Sequence, residues 1–461
     1  MAARSDFINA FFRGADVSTL LGLVFLYLAV LSWYGMRGAF RRESLSDFLT
    51  TGGSTGVLLC ALSLVSTIVG GSATLGLGGL AQKTGAAAFW WLGVGAVGLL
   101  IHGWLIVPKI RRLSAVTLPE VAGAVAGKAA ERWAGGIIAA SWVAVTAAQF
   151  VALHALLLTL ADPATAECLY LVIAAAVLVH TLAGGQRAVI RTDAIQTVLL
   201  LGGFAAAAGW LLTTRPEEAA ALDWMPFNER FGFLDWAKMM LLVGITYVIG
   251  PDMFSRTFSA KTAQAARRAA WLAAPALLFF GAAITVMALM NVEAAQPVAG
   301  WLAETSGLPW GLRAALALGL VSALCGSADT VLLSACGILE RNLIGGDSTR
   351  TVRLLVALVG GSAALTVYFS GDIISLLLTA YSFFVPGVAV PLLVALLGDV
   401  RPLNAKVWMT GAVIGGLGGL AGNLTGDSLP TFVGMAAAAL LAAASRYLKE
   451  DATEAFSPKE P

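Results

Sequence analysis

Residues 59–80 read LCALSLVSTIVGGSATLGLGGL, which is long and apolar enough to cross a bilayer, since a spanning helix needs about 20 apolar residues. The middle of this run nevertheless carries small and hydroxyl-bearing residues, namely Ser63, Ser66, Thr67, Gly70, Gly71, Ser72 and Thr74. A helix selected only for contact with lipid would consist of Leu, Ile, Val and Ala, so this composition predicts a break. Non-helical backbone at membrane depth is tolerated only where protein or water covers it, and broken helices at the midplane bind ions and substrates in secondary transporters.

The composition of the whole chain excludes an ordinary soluble domain. Of 461 residues, 58% are hydrophobic and 12% are charged, whereas soluble domains average about 25% charged residues. The net charge of +2 says little about partners. No basic patch suggests nucleic acid, and apart from the lipid bilayer the sequence indicates no obligate protein partner. The four cysteines lack metal-type spacing, and we expect no disulfide framework.

Apolar runs long enough to span recur along the chain. We count about 13 of them and expect the first to be a retained helix rather than a cleaved signal. An odd number of spans places the two termini on opposite sides of the membrane. The predicted spans are 17–36, 55–80, 86–107, 133–158, 166–184, 191–213, 234–251, 269–291, 311–340, 352–370, 373–397, 407–423 and 429–447.

Positive charge is distributed unevenly between the two sets of loops. If the N-terminus lies outside, most of the 29 Lys and Arg residues fall in inside loops, which is the asymmetry that the positive-inside rule describes. Arg256 is assigned to an inside loop by this count. We therefore expect an integral protein of a bacterial cytoplasmic (inner) membrane, with its N-terminus outside and its C-terminus in the cytoplasm.

A second polar constellation lies inside the span that includes residues 321–333, VSALCGSADTVLL. Helical spacing brings Ala323, Ser327 and Thr330 to one face, and Asp329 lies on the adjoining stripe. A carboxylate inside a span is expensive and marks a functional site by default, and hard oxygen donors suit a small cation such as sodium. The alternative is that the hydroxyls bond to the preceding helical turn and that Asp329 makes an interhelical hydrogen bond.

Residues 184–197, GGQRAVIRTDAIQT, place Asp193 just beyond two arginines. This carboxylate is either a functional residue or a helix N-cap, since Asp is favourable beside a helix N-terminus. Two more stretches predict aromatic cavity walls or ordinary aromatic packing. In residues 244–256, GITYVIGPDMFSR, a proline predicts a kinked or ended helix with Tyr247 one turn deeper. In residues 379–391, TAYSFFVPGVAVP, two prolines predict a distorted helix that carries Tyr381 and Phe383.

These motifs, in this order, resemble those of the sodium:solute symporter family, which includes sodium/proline, sodium/pantothenate, sodium/acetate and sodium/glucose transporters. GGQRAVIRTDAIQT is the most specific match, because it is similar to the family's GG-x-RAV-x-x-TD-x-x-QT. SDFLTTGG from Ser46, TLPE from Thr117, the run from Ala61 and SALCGSADTVLLSACGILERNL from Ser322 also resemble family motifs. The resemblance covers nearly the whole chain from Ser46 to Leu397.

The resemblance implies an all-α integral membrane protein with a leucine-transporter-like core. Two inverted repeats of five helices would occupy residues 55–213 and 214–398, and the first and sixth core helices would be broken. An outer helix and the first inside loop would occupy 1–54, and peripheral helices with a short cytoplasmic tail would occupy 399–461. The implied function is sodium-coupled import of a small organic solute by alternating access.

The resemblance also implies two ion sites. The family's sodium site falls on the carbonyl positions Ser66, Val69 and Ala323 and on the hydroxyl positions Gly326 and Ser327. Gly326 departs from the pattern because it has no side-chain oxygen, and a water, Thr67 or a shifted helix would have to fill its place. A second cation site would involve Asp193, Asp329 and Thr330.

We expect the substrate to lie beside the break in the first core helix. The expected contacts are Thr67, Gly70, Gly71, Ser72, Tyr247, Tyr381 and Phe383. Tyr247 matches a substrate-contacting aromatic residue of proline transporters, but Val243 replaces the adjacent Trp, so proline itself is not supported. An amino acid, a monocarboxylate or another small polar solute fits equally well. Because no Lys or Arg stands among these positions, an anionic substrate would need sodium or helix dipoles for neutralisation.

Two other functions remain open from the sequence. In a proton-coupled or sodium-independent carrier, Asp193 or Asp329 would carry the proton. A membrane solute sensor is the second alternative, although no signalling domain follows the last span. We expect no enzymatic activity and no cofactor beyond sodium as the coupling ion. The sequence has no nucleophile motif, Ser/His/Asp order or metal-type histidine spacing whose residues would lie at the same depth in the membrane.

Overall fold

The structure is a computed structural model that describes residues 17–37, 43–113, 115–290, 297–302, 306–369, 372–398 and 400–448. Within these ranges nine helices are long and apolar enough to cross a membrane, and three shorter apolar helices accompany them. Helices occupy every predicted span, so the all-α class is confirmed. The N-terminal residues 1–16 and the tail from 449 onward lie outside the described residues.

The first group of helices runs from the N-terminus to the longest external loop. Thr117 and Glu120 of the TLPE motif form a capping box at the start of one of them, which satisfies two backbone donors that a helix start leaves free. The bounds are α1 Val17–Gly35, α2 Leu45–Thr50, α3 Val57–Ile68, α4 Leu77–Thr84, α5 Trp90–Ile101, α6 Val107–Ile110, α7 Leu118–Leu160 and α8 Pro163–Thr214.

The second group begins in that loop and ends near the C-terminus. π-Helical turns join several of its members, and such turns are frequent at functional sites. The bounds are α9 Pro216–Ala221, α10 Phe233–Met239, α11 Ile245–Val248, α12 Pro251–Ser259, α13 Ala263–Leu289, α14 Pro297–Leu302, α15 Trp310–Ile338, α16 Thr349–Leu365, α17 Ile373–Phe384, α18 Val390–Leu397, α19 Ala405–Thr425 and α20 Ser428–Ala444.

The predicted break in the first core span is present. α3 ends at Ile68, and Val69 leaves the helical region with φ −87° and ψ 75°. The chain resumes as a π-helical turn at residues 72–76 and continues as α4. The glycine-rich and hydroxyl-rich composition therefore marked the break correctly.

The sixth core span is also broken, but its end differs from the prediction. α11 ends at Val248, the chain is extended at Gly250, and Pro251 begins α12. Proline suits the first position of a helix because its missing N–H would be unpaired there anyway. The span therefore continues to Ser259 instead of ending at 251. Arg256 is consequently buried inside the protein, with 1% of its surface exposed, and its assignment to an inside loop is wrong.

α15 forms the centre of the bundle. The span Trp310–Ile344 is the most enclosed of the candidate spans, because 94% of its apolar stretch is buried inside the protein. α15 packs against α3, α7, α8 and α12, so it contacts both broken spans. The expected limits of the two repeats remain predictions.

α8 contains two predicted spans joined at a sharp kink. Gly185 adopts φ 56° and ψ −159° there, a conformation that residues with a side chain rarely adopt. A Cβ on Gly185 would also lie 2.6 Å from the ring of Phe48 and 2.9 Å from its carbonyl oxygen. Of the two glycines in the GGQRAV motif, Gly185 is therefore the one that the kink requires.

We expect Gly185→Ala to destabilise the protein by about 1–3 kcal/mol, because the substitution adds backbone strain and a clash. Gly202→Ala in the same helix is the matched control, since a Cβ there meets nothing within 4 Å. Thermal unfolding of the purified protein in detergent measures both. Equal midpoints for the two variants would contradict the requirement for glycine at the kink.

Candidate functional site

The break in the first core span meets α15 directly. In an unbroken helix the amides of Gly70 and Gly71 would bond to the carbonyls of Ser66 and Thr67. Here the Gly70 amide donates to Ile68 O instead. The Ser327 hydroxyl supplies a donor to both released carbonyls, at 3.1 Å from Ser66 O and 2.9 Å from Thr67 O. The structure thus brings together Ser66 and Ser327 as the sodium-site prediction required.

The other side of the break is held by α7. The Gly71 amide donates to Gln149 Oε1 at 2.8 Å. A Cβ on Gly70 would lie 2.5 Å from that oxygen and 2.6 Å from Ser327 Oγ. Gly70 is therefore needed for the close approach of three chain segments. Sequence reasoning missed Gln149, because it is a single polar residue in a long apolar helix.

Three buried side-chain oxygens converge beside Gly326. A Cβ placed on Gly326 would lie 2.6 Å from Gln196 Oε1, 2.7 Å from Ser66 Oγ and 3.1 Å from Asp193 Oδ1. Among the described residues, Gln196 Oε1 and Asp193 Oδ1 have no hydrogen-bond partner of good geometry, and Ser66 Oγ has only the Asp193 carboxylate within reach. Buried polar atoms are usually paired, so this cluster calls for a ligand. Oxygens from α3 and α8 thus surround Gly326, the expected ligand position that has no side-chain oxygen of its own.

The other carboxylate oxygen of Asp193 belongs to a charged network. Asp193 Oδ2 accepts from Ser63 Oγ at 2.5 Å and from Arg256 Nη2 at 3.1 Å. Arg256 Nη2 also donates to Thr330 Oγ1 at 2.5 Å. Asp193 is fully buried and lies well inside the second half of α8, so the N-cap alternative is wrong.

The predicted second cation site is divided in the structure. Thr330 and Asp193 share the guanidinium of Arg256, whereas Asp329 faces a different neighbour. Asp329 accepts from His180 Nδ1 at 2.8 Å and from the Thr181 hydroxyl. An ion bound by all three predicted residues is therefore inconsistent with this geometry, and Arg256 already supplies a positive charge beside Asp193. The carbonyl-bearing positions Val69 and Ala323 are both buried.

A partly open cavity adjoins the break. Five of the predicted substrate residues line it, namely Thr67, Gly70, Ser72, Tyr247 and Tyr381. Gly71 and Phe383 are not among its lining residues. The Phe383 ring instead lies beside Gly416 of α19, because aromatic neighbours on a helix point to different sides.

Several lining residues were not predicted, among them Gln149, Trp142 and Asp252. Trp142 Nε1 of α7 donates to both carboxylate oxygens of Asp252, each at 2.9 Å. Pro251 could have indicated a role for Asp252 from the sequence. A proline marks the start of a helix after a break, and Asp252 lies in the first turn of that helix. No such signal marks Trp142.

A family model for the sodium:solute symporter family matches residues 48–336, which is more than half of the chain. The chain belongs to the sodium:solute symporter family. Solute carrier family 5 member 4A of Mus musculus is 24% identical over 200 residues. That alignment covers 43% of this chain and 30% of the curated relative, so the match spans less than a third of that protein.

Solved structures show the same fold. A Na⁺-coupled sialic acid symporter in a substrate-bound, outward-open state gives a TM-score of 0.75 at 15% identity, covering 94% of this chain and 99% of that chain. MhsT in complex with L-phenylalanine gives 0.52 at 12% identity, covering 85% and 97% of the two chains. The leucine-transporter-like fold expected of a symporter in this family is therefore confirmed.

We expect Arg256→Gln to cost about 3–5 kcal/mol of unfolding free energy, because it leaves the buried Asp193 carboxylate without its partner. The double variant Arg256→Gln with Asp193→Asn should recover most of this loss. Denaturant unfolding in mixed micelles measures the difference.

Arg341→Gln is the control for this prediction, since Arg341 is partly exposed at 27% and pairs with both Glu120 and the exposed Asp347. Exposed pairs contribute about 0–1 kcal/mol. A double variant no more stable than Arg256→Gln alone would contradict the charge-pair explanation.

Proposed function

We propose that this protein is a sodium-coupled symporter that imports a small organic solute by alternating access. The observation that carries the proposal is the cluster of three buried oxygens at Gly326, beside the unwound break in the first core span; among the described residues, Gln196 Oε1 in this cluster has no hydrogen-bond partner. Hydroxyl, amide and carboxylate oxygens are the donors that hard cations prefer. The family membership supports sodium as that cation.

In this proposal the sodium site keeps its place but changes its ligands. Ser66 Oγ, Gln196 Oε1 and Asp193 Oδ1 replace the hydroxyl that Gly326 lacks, and Ser327 completes the site from α15. Ser66, Val69 and Ala323 remain candidate carbonyl ligands. Gly326 favours this arrangement, because a Cβ would occupy the point on which the three oxygens converge.

Arg256 limits the number of ions in the proposed mechanism. Its guanidinium bonds to Asp193 and Thr330, two of the three residues expected to bind a second cation. A further cation there would meet strong repulsion from the buried guanidinium. We therefore propose one sodium ion per transport cycle.

The ion site and the solute cavity adjoin each other. Thr67 and Ser327 line the cavity, and both belong to the contact between the break and α15. Sodium bound there would hold α3 and α15 in one arrangement, and an ion shifts a conformational equilibrium only by its differential affinity for the two states. The expected orientation, with the N-terminus outside, remains part of the proposal.

Sodium should stabilise the purified protein more than potassium does at equal ionic strength and fixed pH. At about 100 times its dissociation constant a ligand adds about 2.7 kcal/mol, and each tenfold loss of affinity removes about 1.4 kcal/mol. We expect Ser66→Ala, Ser327→Ala and Asp193→Asn each to reduce the difference between the sodium and potassium midpoints.

Thr285→Ala is the matched control, because this buried hydroxyl bonds to Gly281 O within its own helix. It should retain the full sodium effect. Comparing two cations within each variant separates ion binding from any loss of intrinsic stability. An unchanged sodium effect in all three site variants would refute the ion site, and wild-type protein indifferent to sodium would favour the proton-coupled or sodium-independent alternative.

A further inference from the structure

The solute cavity contains a carboxylate that is not engaged in an ion pair. Asp252 lies in the first turn of α12, immediately after the break in the sixth core span. It lines the cavity and only 9% of its surface is exposed. A buried carboxylate is costly unless it is paired and hydrogen-bonded. Its position in the cavity raises the question of which group pairs with it during transport.

The nearest cation is committed to other partners. Arg256 lies one helical turn from Asp252, but its guanidinium nitrogens donate to Ser63, Ser255, Asp193 and Thr330. Among the described residues no salt bridge to Asp252 is present, and no Lys, Arg or His lines the cavity. The indole N–H of Trp142 is a neutral donor, so Asp252 has no direct ionic partner inside the cavity, although Arg256 acts on it from one helical turn away.

Aromatic side chains surround this carboxylate. Trp142, Tyr247 and Tyr381 all line the cavity, and Asp252 is close enough to both phenols to interact with them electrostatically. The positions of two of the rings are fixed by packing. A Cβ on Gly95 would lie 3.2 Å from the Tyr247 ring, and the Trp142 ring packs edge-on against Phe384 at 4.8 Å. Aromatic rings beside a carboxylate form a favourable site for an organic cation.

The remaining walls are mainly aliphatic, with contributions from Ile68, Val145, Met253, Val331 and Leu377. Apolar walls suit the hydrocarbon part of a small solute. An anionic group would meet repulsion from Asp252, and no basic residue lines the cavity to bind it directly. This disfavours the monocarboxylates that the sequence left open.

We infer that the transported solute carries a positively charged nitrogen, an ammonium group, which binds to Asp252 between Trp142, Tyr247 and Tyr381. The inference rests on the proposed symport function for the identity of the cavity as a substrate site. It narrows the substrate class to small organic ammonium compounds, with a zwitterion such as an amino acid included.

The test compares probes of similar shape and different charge. Choline, ethanolamine and glycine betaine carry the ammonium group, dimethylbutanol is the uncharged carbon isostere of choline, and dimethylbutanoate is the corresponding anion. Thermal stability of the full chain is measured with each probe, in sodium and in potassium. We expect at least one ammonium probe to stabilise the wild type and both carbon analogues to fail.

Asp252→Asn should weaken binding of the stabilising ammonium probe at least tenfold, because the amide keeps an acceptor for Trp142 and loses only the charge. Glu167→Gln is the charge-matched control, since Glu167 contacts His154 and Tyr368 at the periphery, and it should bind the probe as the wild type does. The wild-type comparison of choline with dimethylbutanol needs no variant, so the test stands even if Asp252→Asn fails to fold.

The inference is overturned if no ammonium probe stabilises the wild type, if the uncharged or anionic analogue binds as well as the ammonium probe, or if Asp252→Asn leaves the affinity unchanged. These outcomes are separate from failure of the proposed function. The sodium-against-potassium difference of the ligand-free protein tests the coupling ion alone, and ammonium binding without a sodium effect would preserve the substrate class while removing sodium coupling.

Discussion

Unwound backbone in a membrane must find its hydrogen bonds inside the protein, and the rest of this structure is arranged around that constraint. Each unpaired backbone group in hydrocarbon costs several kcal/mol. The break after Ile68 releases the carbonyls of Ser66 and Thr67, which Ser327 satisfies from α15. It also frees the Gly71 amide, which Gln149 satisfies from α7. The break thus holds three separate segments together at the point where an ion and a solute are proposed to bind.

The second broken span supplies a buried charge to the same region. The interruption at residues 249–250 restarts the chain as α12, and α12 carries both Asp252 and Arg256. A guanidinium with 1% exposure is tolerable because Asp193, Ser63 and Thr330 receive its hydrogen bonds. Such a network is weak evidence for stability in itself. The network instead fixes the orientation of the Asp193 carboxylate. One of its oxygens bonds to Arg256, and the other faces Gly326.

The sequence predicted those features that a single segment determines. Glycine and hydroxyl residues at mid-span located the first break, and the family resemblance placed Ser327 against it, where the structure shows the contact. The end of the sixth span was wrong, because polar residues in PDMFSR read as a loop when their partners on α8 and α15 are unknown. Gln149 and Trp142 were missed for the same physical reason, since their roles arise from contacts between segments distant in the chain. Gly326 was recognised as a departure from the family pattern, yet only the packed structure shows which oxygens surround it.

The two proposed ligands carry the same sign of charge, which constrains how they can be coupled. Coupling is reciprocal, so sodium must raise the affinity for the solute as much as the solute raises the affinity for sodium. Direct electrostatics between sodium and an ammonium group is repulsive, and Arg256 adds a further positive charge near both Asp193 and Asp252. Favourable coupling therefore has to come from a shared conformation. In the proposed mechanism Thr67 and Ser327 would provide it, because Thr67 and Ser327 line the cavity and also form the contact between α3 and α15 at the break.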